Sequence, residues 1–69
     1  MRLSTRNQLS GTVTAVTPGS VMATVKVDIG GQAMTASISK EAVEDLGLSV
    51  GSAVVVLVKS TEVMLAVED

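Results

Sequence analysis

The chain contains no cysteine, no histidine and no aromatic residue. Without the first two there is no disulfide, no thiolate nucleophile, no imidazole base and almost no ligand for soft or borderline metals. Most familiar enzyme mechanisms are lost with them. The remaining acids that cluster, Glu41, Glu44 and Asp45, fall on one short predicted helix, where a solvated face explains them better than acid–base or hard-metal chemistry does. Missing rings remove the platforms on which unpaired bases stack, and a formal net charge of −2 offers no positive field to a phosphate backbone. The expectation is a non-enzyme with no nucleic-acid partner. No run approaches the roughly 18 apolar residues of a membrane-spanning helix, and Met1-Arg2-Leu3-Ser4 lacks the basic, apolar pattern of a cleavable leader. A cytoplasmic location without a membrane partner is expected.

What the sequence does have is aliphatic residues: 46% of its 69 positions are hydrophobic, all of them Val, Ala, Leu, Ile or Met. That length predicts a single domain over residues 1–69. Below about 70–80 residues a lone core seldom supplies more than a few kcal/mol, and small domains add disulfides, metals or partner subunits. With the first two disfavoured, self-association is the expected remedy.

Period-two alternation dominates. It is clearest where Val21, Ala23, Val25, Val27 and Ile29 oppose Met22, Thr24, Lys26 and Asp28, the pattern of a half-buried strand. A strand over residues 11–16 precedes it through the turn Thr17-Pro18-Gly19-Ser20, in which Pro presets φ and Gly19 is expected to supply positive φ. Gly30-Gly31 suits a mirror-image hairpin turn into a third strand over 33–38. Ala42, Val43 and Leu46 then take helical spacing between a capping Ser39 and a terminating Gly47. Two further strands are predicted over 53–58 and 62–67. Because Val54 to Val58 is apolar on both faces, a barrel wall or a neighbouring subunit must cover the second. Five strands with one helix between the third and fourth describe an all-β, five-stranded oligonucleotide/oligosaccharide-binding (OB-like) barrel.

Five cationic side chains are present: Arg2, Arg6, Lys26, Lys40 and Lys59. Lys26 alternates outward beside Asp28 and Lys40 has Glu44 one turn away, so both read as surface charges. Arg6 sits in Ser4-Thr5-Arg6-Asn7-Gln8, and Lys59 opens Lys59-Ser60-Thr61 at the end of an apolar strand. Both segments are rich in donors and free of acids. Such groups suit a tetrahedral oxyanion, which accepts charge-assisted bonds from Arg and Lys and neutral ones from hydroxyls. Ser39 and Lys40 at the helix start are a third donor-rich element. Taken on chemistry alone, solvated cations and ordinary turn hydroxyls are the favoured description of the same residues.

Four stretches carry a resemblance. Ser4-Thr-Arg-Asn-Gln-Leu-Ser-Gly11, Gly19-Ser-Val-Met-Ala-Thr-Val25, Lys40-Glu-Ala-Val-Glu-Asp-Leu-Gly-Leu48 and Val56-Leu-Val-Lys-Ser-Thr-Glu-Val-Met64 resemble, in order, the molbindins. These are Mop-type proteins, a transport-associated OB-like module that binds molybdate or tungstate. The opening Ser-x-Arg-Asn-x-Leu-x-Gly and the Val-Lys-Ser stretch are the specific parts. The resemblance implies a homohexamer, a trimer of dimers, that holds molybdate or tungstate between subunits for intracellular storage and homeostasis, with no organic cofactor and no metal ion ligated directly. It also implies that Ser4 and Arg6 reach the anion from one subunit while Ser39, Lys59 and Ser60 come from its neighbour. Some relatives carry a second hydroxyl on the helix where this chain has Ala42. The rival expectation is a protein-interaction or regulatory module of the same fold that binds no anion.

Overall fold

In a computed structural model that describes residues 1–69, the alternating segments form one antiparallel sheet. Its strands are β1 (Asn7–Pro18), β2 (Met22–Ile29), β3 (Gln32–Ser39) and β4 (Ala53–Val58), in the spatial order β3-β2-β1-β4. Gly30 and Gly31 both take positive φ, 57° and 92°, which turns β2 into β3 with Ile29 opposite Gln32. One helix, α1 (Lys40–Leu46), lies between β3 and β4. The Ser39 hydroxyl caps it, accepting the Ala42 N–H at 3.0 Å. At the other end Gly47 adopts the left-handed conformation, and its N–H and that of Leu48 reach back to the Glu44 and Val43 carbonyls.

Alternation puts Ala23, Val25 and Val27 of β2 on one face, where they and Val13 of β1 are the four buried residues of the chain. Register brings Ala36 and Ile38 of β3 beside them, β4 adds Val54 and Val56, and Val43 and Leu48 from the helical segment pack against the cluster. Strand β1 extends further than residues 11–16 because it serves two neighbours. Its first half pairs with β4 and its second with β2, and Thr14 is an extra residue between Val13↔Val27 and Ala15↔Lys26. Such a bulge bends and twists a strand. The Thr14 hydroxyl donates to the Lys26 carbonyl at 3.3 Å across it.

Gly11 makes that bend possible. A Cβ there would lie 2.6 Å from Val27 Cγ1 and 2.7 Å from the Asp28 carbonyl oxygen, so no larger residue lets β2 cross so closely. Gly19 departs from expectation, since it is not among the glycines with positive φ. Its reason is also proximity: its N–H donates to the Met22 carbonyl at 2.8 Å, and a Cβ would meet that oxygen at 2.7 Å.

The five-stranded barrel is corrected to an open, four-stranded sheet. Residues 62–67 form no strand in the chain. A 3-10 turn at Ser60–Glu62 follows β4, and the tail beyond it leaves Met64 92%, Leu65 94% and Val67 89% exposed. Alternation marks a segment able to pair, but a ladder also needs an edge within reach. The two free edges are β3 and β4. An apolar cleft of about 260 Å³ joins them, lined by Ala36 and Ile38 on one side, Val54 and Val56 on the other, and Val13 and Val25 between.

Surface area measures how much is left open. A folded monomer of 7.0 kDa should expose about 4,000 Å², whereas this chain exposes 5450 Å². Its radius of gyration is 13.0 Å against about 11 Å for a compact chain of this length. The surplus, about 1,400 Å², exceeds the roughly 800 Å² per partner of a standard interface.

Gly11→Ala should destabilise the fold by about 1–3 kcal/mol, because the new methyl meets backbone that has no room to yield. Urea unfolding followed by far-UV circular dichroism checks this, and a midpoint equal to that of the parent chain would contradict the crossing described.

Candidate functional site

The antiparallel ladder between β1 and β4 ends at the pair Asn7↔Val58. The next residues outward, Arg6 and Lys59, therefore leave the sheet side by side, though 53 positions separate them in sequence. They enter an open cleft of about 370 Å³ lined by Ser4, Thr5, Arg6, Lys59, Ser60 and Thr61. Two cations and four hydroxyls face one another there, with no apolar residue and no carboxylate.

These donors are free. Of the six side-chain hydrogen bonds in the chain, none engages Arg6, Lys59 or the hydroxyls of Ser4, Thr5, Ser60 and Thr61. The 3-10 turn adds two more, because its bonds run from the Glu62 and Val63 N–H groups to the Lys59 and Ser60 carbonyls. Ser60 and Thr61 keep their own N–H groups without a backbone acceptor, as the first residues of any helical turn do. Glu62, the one acid of this segment, lines a separate depression with Asn7, Leu9, Met34, Val58 and Val63. Such an arrangement can hold a compact anion of two negative charges and several acceptor oxygens, since charged donors make the stronger bonds and hydroxyls rotate to suit.

Four of the five residues expected to meet the anion, Ser4, Arg6, Lys59 and Ser60, line this cleft. They do so within one chain, whereas the resemblance implied that Lys59 and Ser60 face Arg6 from a neighbouring copy. The reason is the ladder itself, which delivers both segments to the same corner. Ser39 is elsewhere. It pairs with Met22 at the start of β2, beside the end of β1 at Pro18, and the cleft lies beyond the opposite end of β1. Twelve residues of strand span roughly 35–40 Å when extended, out of reach of any side chain. Thr5 and Thr61 also line the cleft, and their signal in the sequence was adjacency to Arg6 and Ser60. Lys26 donates to the Thr35 hydroxyl at 2.7 Å on the exposed sheet face, and Lys40 borders a shallow depression with Glu41 and Glu44, so neither joins the site. No group of three His, Cys, Asp or Glu side chains converges on a common point.

The TOBE domain model matches residues 3–65, a span that includes both walls of the cleft. The chain belongs to the TOBE domain family, among the molbindins. This TOBE domain is 44% identical over 69 residues to a probable molybdenum-pterin-binding protein of Haemophilus influenzae, covering 99% of this chain and all of that one. Among solved structures it superposes with a TM-score of 0.92 on a molybdate-binding protein from Sporomusa ovata, at 39% identity over 96% of this chain and 98% of that one. A TM-score of 0.83, at 41% identity, relates 87% of the chain to 43% of the cytoplasmic molybdate-binding protein ModG, solved with molybdate bound. The relatives are named as binding proteins. No helix of the TOBE domain is long and apolar enough to cross a membrane.

Because the Arg6 and Lys59 side chains are exposed and make no hydrogen bond within the chain, Arg6→Ala and Lys59→Ala should each change unfolding free energy by less than about 0.5 kcal/mol. Urea titrations of the two variants check this. A larger loss would mean that these cations serve the fold rather than a ligand.

Proposed function

We propose that the chain binds molybdate, or the closely similar tungstate, in the cleft between Ser4–Arg6 and Lys59–Thr61, and that it stores the anion in the cytoplasm without catalysing a reaction. The observation that carries this reading is the convergence of two cations and four hydroxyls on a corner without a carboxylate. Arg6 and Lys59 balance the dianion, while the hydroxyls and the free N–H groups of Ser60 and Thr61 take its oxygens. Relatives are named for a molybdenum-pterin. The cleft itself favours the inorganic anion, since a pterin ring needs an apolar or aromatic face to lie on and the lining has none.

A second copy completes both the fold and the site. The open seam between β3 and β4 is apolar, and the exposed tail carries Val63, Leu65 and Val67 at strand spacing. That segment of a neighbouring copy fits the seam as the fifth strand and closes the OB-like barrel, covering the outward-facing Val55 and Leu57 as further copies assemble into a hexamer, a trimer of dimers. Ser39 reaches an anion only from such a neighbour. It can cap α1 and still donate, because the Ala42 N–H occupies a lone pair and leaves its O–H free.

In titration calorimetry with sodium molybdate, Arg6→Ala and Lys59→Ala should each weaken binding about 10–100-fold, the loss of one charge-assisted hydrogen bond worth 1.5–3 kcal/mol. Absence of heat with the parent chain would overturn the reading in favour of a protein-interaction module. Light scattering should show a hexamer that Leu65→Asp breaks into smaller species, and a stable monomer of the parent chain at micromolar concentration would exclude the shared barrel.

A further inference from the structure

Two side-chain amides stand at the point where the cleft's walls leave the sheet. Gln8 Nε2 donates to the Thr5 carbonyl at 3.0 Å, and Asn7 Nδ2 donates to the Val58 carbonyl at 3.0 Å. Each of those carbonyls belongs to the peptide immediately before a cation of the cleft, Arg6 in one case and Lys59 in the other. We infer that Gln8 and Asn7 are positioning residues for the anion site, fixing the two peptide planes that present Arg6 and Lys59.

The argument is one of peptide geometry. Every peptide bond in the chain is trans, so a carbonyl and the N–H that follows it point in opposite directions across a rigid plane. Tying the Thr5 carbonyl to Gln8 turns the Arg6 N–H away from Gln8, and tying the Val58 carbonyl to Asn7 does the same for the Lys59 N–H. Neither N–H has a backbone acceptor in the chain, and neither amide residue lines the cleft. The carbonyl oxygens, which would repel an anion, are thereby held on the far side of their planes, and the donors on the near side.

Residue type fits the task. A lysine or arginine at either position would compete for the anion, and a carboxylate would repel it and could not donate. A neutral amide orients a carbonyl without changing the charge of the corner. Secondary structure gives no other reason for the Gln8 contact, because Thr5 precedes β1 and its carbonyl has no ladder partner.

This inference rests on the molybdate reading above. Its test is calorimetry on the full chain with sodium molybdate, using Gln8→Met, which keeps the length of an exposed side chain and removes the donor, and Asn7→Leu, which does the same at a half-buried position. Gln8→Met should raise Kd about ten-fold with the melting temperature and oligomeric state of the ligand-free protein unchanged, and Asn7→Leu should raise it at least as much. The effect must also be coupled to the residue it positions: in an Arg6→Ala background, Gln8→Met should raise Kd by a clearly smaller factor than in the parent chain, because only the backbone N–H of position 6 is then left to orient. An unchanged Kd in Gln8→Met overturns the inference, as does a ten-fold effect that persists in the Arg6→Ala background or one that appears only alongside a lower melting temperature. Should Asn7→Leu fail to fold, Gln8→Met and its double variant decide alone. Absence of binding by the parent chain would instead overturn the molybdate reading itself, and the inference with it.

Discussion

The end of the β1–β4 ladder governs everything at the corner where the donors meet. Antiparallel pairing obliges the residue before Asn7 and the residue after Val58 to emerge together, whatever their distance in sequence. A slip of one residue would send Arg6 and Lys59 to opposite faces. The β1–β4 register runs unbroken from Asn7↔Val58 to Thr12↔Ala53, while on the other side of β1 the Thr14 bulge and Gly11, whose missing side chain lets β2 cross closely, set the pairing with β2.

The same sheet is unfinished as a container. Four buried residues are a slender core for 69 positions, and they are all valine or alanine. Aromatic residues bury about 150–250 Å² each, so a chain without them loses the most efficient means of covering a small interior. Two free edges, an apolar seam and a tail of alternating aliphatics remain outside. In an isolated chain such edges invite indiscriminate pairing, and a defined partner strand is one way proteins remove the hazard.

Much of this was legible in the residues. Period-two alternation located β2, β3 and β4 to within a residue or two, and Ser39 and Gly47 bounded the helix because caps are local chemistry. Both cationic segments were recognisable by their donors and their lack of acids. What the residues did not show was long-range. Glu62 to Val67 alternates like a strand, yet whether an edge is within reach depends on the direction in which the turn at Ser60 sends the chain. Gly19 carried no mark to separate a need for positive φ from a need for space. The meeting of Arg6 and Lys59 within one chain follows from a register that no single segment encodes, and the resemblance alone had assigned them to different copies.

Ser39 and the cleft stand at opposite ends of β1. The proposed shell, drawing on both, would link occupancy to self-association: each anion captured would favour the assembled state, and each assembly event would raise affinity by the same factor. On the proposed shared shell, the protein's own abundance would then set how avidly it holds the anion. Dilution alone would release it, without any chemical signal at the donors themselves.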